Sequence, residues 1–232
     1  MKALAFALCL AVLPAFAQPP EAPEMDAPTT REGYKARNER HVAHEKMFAA
    51  QAGVALGVKI PHGVTIETIR HVMYGPGQSL EARTEKLGCT ADAVSIVTPY
   101  NQRPVLSQNE NFIFTEYKVE VNEVMKGALK VGDRITIPRL GGTIQLPDEK
   151  IGYDVADYQP LVIGQKYLVF LTYLSATGDY AGTSERGFFE IRPDHTMRSL
   201  DGSGPLAADA ASRILGITRS QGAQSAPCDG LK

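Results

Sequence analysis

The chain has 232 residues, 44% of them hydrophobic and 22% charged, and its 24 lysines and arginines against 26 aspartates and glutamates give a formal net charge of −2. That length and composition suit one sizeable globular core with appendages. A weakly acidic chain has no bulk electrostatic basis for binding nucleic acid or an anionic membrane surface, so neither is an expected partner.

Met1 and Lys2 precede an apolar run over residues 3–16, and Ala15-Phe16-Ala17 has the form of a small-residue cleavage site. Residues 1–17 are therefore expected to be a secretory signal peptide, too short for a membrane span, and the mature protein is expected in the periplasm or outside the cell. Cleavage removes Lys2, which takes the formal charge from −2 to −3, and it removes Cys9. Cys89 and Cys228 remain. In an oxidising compartment they predict one disulfide, the alternative being two free thiols.

Residues 18–30, rich in Pro, Ala and Glu, read as an extended linker. Thr29 and Glu32 have capping-box spacing, and residues 31–51 read as a charged helix whose apolar residues are only Tyr34, Val42, Met47 and Phe48. Val64, Ile66, Ile69 and Val72 fit neither helical nor strand period, so residues 53–77 stay open between the two; residues 31–78 together form an N-terminal extension that is helical or partly ordered. Ser79 is a predicted N-cap for a short helix through Leu87, stopped by Gly88 and delivering the chain to Cys89.

From Ala93 strands follow at regular spacing. Residues 93–98 form the first, and residues 99–111, with two prolines, read as a polar hairpin loop. The segment 113–137 organises the fold: Ile113, Thr115, Tyr117, Val119 and Val121 alternate with Glu116, Lys118, Glu120 and Asn122, the signature of a half-buried strand. Val124 and Met125 break the phase, a Lys126-Gly127 turn follows, and residues 134–140 make the next strand. Gly141-Gly142 signals a tight hairpin into a returning strand at 143–146. Residues 146–160 read as a long acidic loop, residues 167–174 as a strand buried on both faces, residues 175–179 as a loop, and residues 187–191 as a last strand closed by Pro193-Asp194. Pro205 is placed at the first position of an Ala-rich helix through Leu215, ahead of a polar tail. Five or six short strands between Gly and Pro turns predict a mainly β protein with flanking helices, its centre a small antiparallel barrel over residues 79–200, with a short helix and tail over 201–232.

The motifs themselves carry a resemblance. Cys89-Thr90-Ala91-Asp92-Ala93-Val94, the Phe114, Tyr117, Val119, Val121, Glu123, Lys126 and Gly127 pattern, Gly132-Asp133 with Ile135 and Ile137, Gly141-Gly142, and Gly164-Gln165 before Tyr167-Leu168-Val169-Phe170-Leu171 resemble a group of exported bacterial proteins of uncharacterised function. Their pattern is similar in turn to the netrin-type module, the OB-fold barrel shared with tissue inhibitors of metalloproteinases. The resemblance covers roughly residues 87–192 and implies an OB-like barrel; its motifs are structural, so fold carries over better than function. The inhibitors chelate a protease zinc through a cysteine at the mature N-terminus, whereas this chain would begin at Gln18. Their inhibitory wedge does not carry over.

Candidate chemistry is sparse. His41 and His44 share a helix face at i, i+3 spacing and could ligate a metal, though the H-E-x-x-H arrangement is absent and solvated side chains are the simpler reading. Asp148, Glu149, Asp154 and Asp157 offer oxygen ligands without EF-hand spacing, and again a solvated loop is the simpler reading. His62, His71 and His195 are isolated in the sequence, and Ser203 sits in a Gly-rich turn that lacks the nucleophile-elbow pattern. Neither phosphate-binding Gly-rich motif occurs, so no cofactor is expected. Phe112 and Phe114 share a strand face with Lys118; they form either an exposed binding platform or a patch covered by a helix or the preceding loop. These observations give an exported, non-catalytic module that binds a protein or glycan. The alternative is a secreted hydrolase or metal-dependent enzyme using His41 and His44 or the Asp148 to Asp157 segment.

Overall fold

The computed structural model describes residues 27–38, 42, 45, 59–68, 79–155, 159–183 and 187–206. The segment read as a signal peptide, most of the linker, His41, His44, His71, Asp157, Cys228 and, beyond Leu206, the rest of the helix expected through Leu215 lie outside them. In chain order the elements are α1 (Arg31–Ala36), β1 (Thr65–Thr68), α2 (Leu80–Thr90), β2 (Ala93–Leu106), β3 (Ile113–Lys126), β4 (Arg134–Leu140), β5 (Gly142–Gln145), β6 (Lys150–Val155), β7 (Tyr167–Leu174), β8 (Asp179–Gly182), β9 (Phe188–Ile191), β10 (Met197–Ser199) and β11 (Pro205–Leu206). The protein is mainly β, as its alternating segments predict.

Eight strands form one sheet in the order β11-β10-β9-β7-β2-β3-β4, with β8 also on β7, and every pairing in it is antiparallel. β8 and β9 follow each other along the same edge of β7, against Leu171–Leu174 and Tyr167–Val169 respectively. β4 packs beside β8 without a hydrogen-bonded ladder among the described residues. A second, three-stranded sheet runs β1-β6-β5, β1 parallel to β6 and β5 antiparallel to it.

β3 is the long organising strand, paired with β2 over almost its whole length and with β4 over its first half. Its phase break at Val124 and Met125 is a β-bulge: Ser95 pairs with Val124 and Val94 with Lys126, which leaves Met125 unopposed. The extra residue turns Met125 into the core beneath α2 while Val124 packs against the core on the other face. β7 is buried on both faces because two cores meet on it. Tyr167, Val169 and Leu171 join Val119, Val121, Ile137 and Phe188 on the inner side, and Leu168 and Phe170 join Phe189, Met197 and Leu206 on the outer side under Leu80 and Leu87 of α2.

Several expectations are corrected. The loop expected over residues 99–111 is confined to its second part, since the turn into β3 begins at Ser107 and β2 continues to Leu106 through Pro99 and Pro104. Beyond Val97 it is paired with β3 alone, so a missing proline N–H removes no ladder bond on that open side, which is where strands accept proline. Gly141-Gly142 does not fold β5 back on β4; with φ of 94° and 142° it swings the chain into the second sheet, where β5 pairs with β6. The acidic loop contains β6: Asp148 and Glu149 lie in the turn before it and Asp154 lies on it. Thr30, not Thr29, caps α1, its Oγ1 accepting from Gly33 N–H at 3.1 Å. Ser79 caps α2 as predicted, but the helix runs past Gly88 to Thr90, which puts Cys89 in its last turn. β10 and β11 follow the strand predicted as last, and Pro205 lies in β11, paired with Arg198, rather than opening a helix.

Candidate functional site

Phe112 and Phe114 are both at 0% exposure. They lie 6.3 Å apart in the core formed by Tyr34 of α1, Ile60, Val105, Leu106 and the apolar residues of β5 and β6. Phe112 also meets Tyr153 at 6.5 Å. The second sheet and α1 cover the rings, so of the two alternatives open for this pair the covered patch is the one observed, and no platform is exposed. Lys118 is half-buried farther along β3. Glu116, assigned to the same polar face, is only 1% exposed and forms an ion pair with Arg103 of β2, its cross-strand neighbour.

α1 is held by charge as well as by Tyr34, whose hydroxyl donates to Gln145 O at 3.1 Å. Lys35 Nζ donates to Glu110 at 2.8 Å, and Arg31 Nη1 donates to the same carboxylate at 3.2 Å. The hydrogen bond from Lys35 holds the Glu110 carboxyl below its ordinary value of 4.5. Glu149, in the turn between β5 and β6, is 2.9 Å from His62 Nδ1, accepts from Gly63 N–H and lies 3.5 Å from Arg31. His62 is thus not isolated. Its contact holds Glu149 low as well, and the arrangement clips α1 and the segment before β1 to the two sheets. No group of three or more His, Cys, Asp or Glu placed to hold a metal occurs among the described residues. Ser203 and Ser199 both donate to Asp201 in the β10–β11 turn.

A cleft of about 500 Å³ lies between the inner face of β2, β3 and β4 and the edge of the second sheet. β2 contributes Gln102 and Pro104, β3 Thr115 and Tyr117, and β4 Arg139 and Leu140. Gly141, Gly142 and Thr143 line one wall, and residues 153–155 with Gln159 and Pro160 the other. Strand register brings these side chains together: Pro104, Thr115 and Arg139 are successive cross-strand partners, as are Gln102, Tyr117 and Ile137. Gly142 is needed here, because a Cβ on it would come 2.5 Å from Thr115 Oγ1.

Arg139 is 3% exposed. Its Nη1 donates to Gln159 O at 2.7 Å and its guanidinium carbon lies 4.3 Å over the Phe188 ring. Burial pushes the Tyr117 hydroxyl up from 10.0, with Arg139 pulling the other way. At neutral pH the cleft therefore presents a protonated phenol, a permanently charged guanidinium, two amides, two threonine hydroxyls and the exposed carboxylate of Asp154. Of the candidate site residues named from sequence, Asp154 is the only described one that lines the cleft; Thr115, Tyr117, Gly141 and Gly142 read in the sequence as strand and turn residues. Arg139 carries no sequence signal beyond its strand position, and Gln102 lies in a stretch that reads as a loop.

Among known proteins, no family model matches the chain and no curated sequence matches it. Among the described residues no helix is long and apolar enough to cross a membrane.

Proposed function

We propose that the protein is an exported, non-catalytic binding module on an OB-type barrel of the netrin kind, and that a protein or glycan seats in the cleft between β2, β3, β4 and the second sheet. The barrel reading is supported by the strand order β4-β3-β2-β7-β8. With each neighbour antiparallel, β4 and β8 run the same way and pack together, as the ends of a five-stranded Greek-key barrel do. Export rests on residues 1–17, and in that compartment Cys89 and Cys228 are taken as bridged.

The observation that carries the binding reading is the character of the cleft. Most of its groups are hydrogen-bond donors and acceptors fixed on paired strands, and burial raises its Tyr117 phenol, which stays protonated at neutral pH. Amides, hydroxyls and a guanidinium hold a ligand rather than shuttle protons, and Asp154 is the one carboxylate among the residues that line the cleft. Gln102 and Thr143 are exposed at its rim, so replacing both by Ala leaves the cores intact. Affinity capture from the native envelope fraction is expected to retain a ligand on the wild-type mature protein and lose it on Gln102→Ala/Thr143→Ala. Equal capture by both would remove the cleft from the reading, and turnover of the captured species during incubation would favour an enzyme.

A further inference from the structure

At the opposite end of the strands, the β7–β8 hairpin carries a second constellation. Tyr173 and Tyr180 are direct cross-strand partners, so both rings stand on one face. Their centroids are 5.3 Å apart and their planes meet at 58°, which makes an open V rather than a stack. Tyr180 leans on the inner core while Tyr173 is 48% exposed.

Acidic groups border the V. Asp92, exposed at the start of β2, accepts the Tyr173 N–H at 2.8 Å through Oδ2. The β3–β4 turn is pressed against the same place, since a Cβ on Gly127 would come 2.5 Å from Asp92 O. That turn carries Asp133, whose Oδ2 accepts from Lys130 N–H at 2.8 Å. Asp92 and Asp133 both add to the burial that raises the Tyr180 hydroxyl. Of the cations in this turn and the strands beside it, Lys126 Nζ donates to Gly88 O and Cys89 O, Arg134 lies over Tyr100 and 3.9 Å from Glu120, and Lys130 is exposed.

We propose that Tyr173, Tyr180, Asp92 and Asp133 form an acceptor for a cationic side chain, a Lys or Arg on a basic segment of a protein partner. Ring faces carry negative potential, and a cation over them gains most where carboxylates close the rim. A neutral sugar could stack on the rings but would make no use of the acidic border, so charge complementarity selects the cation. The site is separate from the cleft and stands whether or not the cleft binds.

The test is an NMR titration of the full-length mature protein with a short glycine peptide carrying one central Arg, the same peptide with neutral citrulline, and a neutral oligosaccharide. The Arg peptide is expected to shift resonances of Tyr173, Tyr180 and Asp92, and to bind more weakly as salt is raised. Tyr173→Ala is expected to weaken it about two- to fivefold, the effect of an exposed cation–π contact. Asp92→Asn, which keeps the acceptor for Tyr173 N–H, should weaken it similarly, and Tyr173→Phe should leave it unchanged. Equal binding of the citrulline peptide, preference for the oligosaccharide, indifference to Tyr173→Ala in a folded variant, or no binding of the Arg peptide would each overturn the proposal.

Discussion

Phe112 and Phe114 show how a residue's neighbours decide its role. Both fall in phase with Lys118 and Glu120, and alternation alone assigns them to the polar face of β3. The cover over that face comes from α1, Ile60 and β5–β6, elements distant in sequence, so alternation leaves exposure and burial both open and does not decide which element supplies the cover. Glu116 stands on the face that alternation gives it but is buried there, paired with Arg103 on a stretch of β2 that its two prolines disguise as a loop. Phe114→Ala is expected to destabilise the protein by about 3 to 5 kcal/mol, the cost of emptying an aromatic site in a packed core. Urea denaturation measures it, and a loss below about 1 kcal/mol would mean the ring is not packed as described.

Elements whose signals are local were legible, and those defined by long-range pairing were not. Ser79 predicted the start of α2 because capping is settled within three residues: its side chain accepts from Ala82 N–H at 3.2 Å. Gly88 failed as a stop because it is buried in the helix packed over β2 and β3, and tertiary contact outweighs the entropic cost of one glycine. The bulge at Met125 was visible as a broken period. By contrast, β5 sits one residue after β4 and pairs with β6, a choice that no local pattern encodes. Ser79→Ala is expected to cost about 1 kcal/mol, read as a lower denaturation midpoint with an unchanged slope. Ser79→Asp, which restores the acceptor and adds a favourable charge at the helix N-terminus, should recover it.

At the scale of the molecule, α1 and the segment before β1 join the two sheets through Glu110 and Glu149, and this makes their attachment depend on pH. Both carboxyls are held below 4.5 in the folded protein, Glu110 first by the hydrogen bond from Lys35 and Glu149 first by that from His62. A carboxylate with a depressed folded pKa binds fewer protons than its unfolded counterpart. Its stabilisation is complete above the unfolded value and is lost as pH falls through the folded one. The denaturation midpoint is therefore expected to fall between about pH 6 and about pH 3. The first part to loosen should be α1, which Tyr34 and these ion pairs hold. In Glu110→Gln/Glu149→Gln the midpoint at neutral pH should be lower and its acid dependence flatter. A residual slope is expected from Asp194, also held low by its hydrogen bonds from Thr196. Proteolysis near Arg37 as pH is lowered distinguishes release of α1 from global unfolding, because release opens that site while the β2–β3–β7 ladder stays protected from amide exchange. If the double variant keeps the full acid dependence of the wild type, the carboxylates that govern acid stability lie elsewhere and the clip is not pH-sensitive.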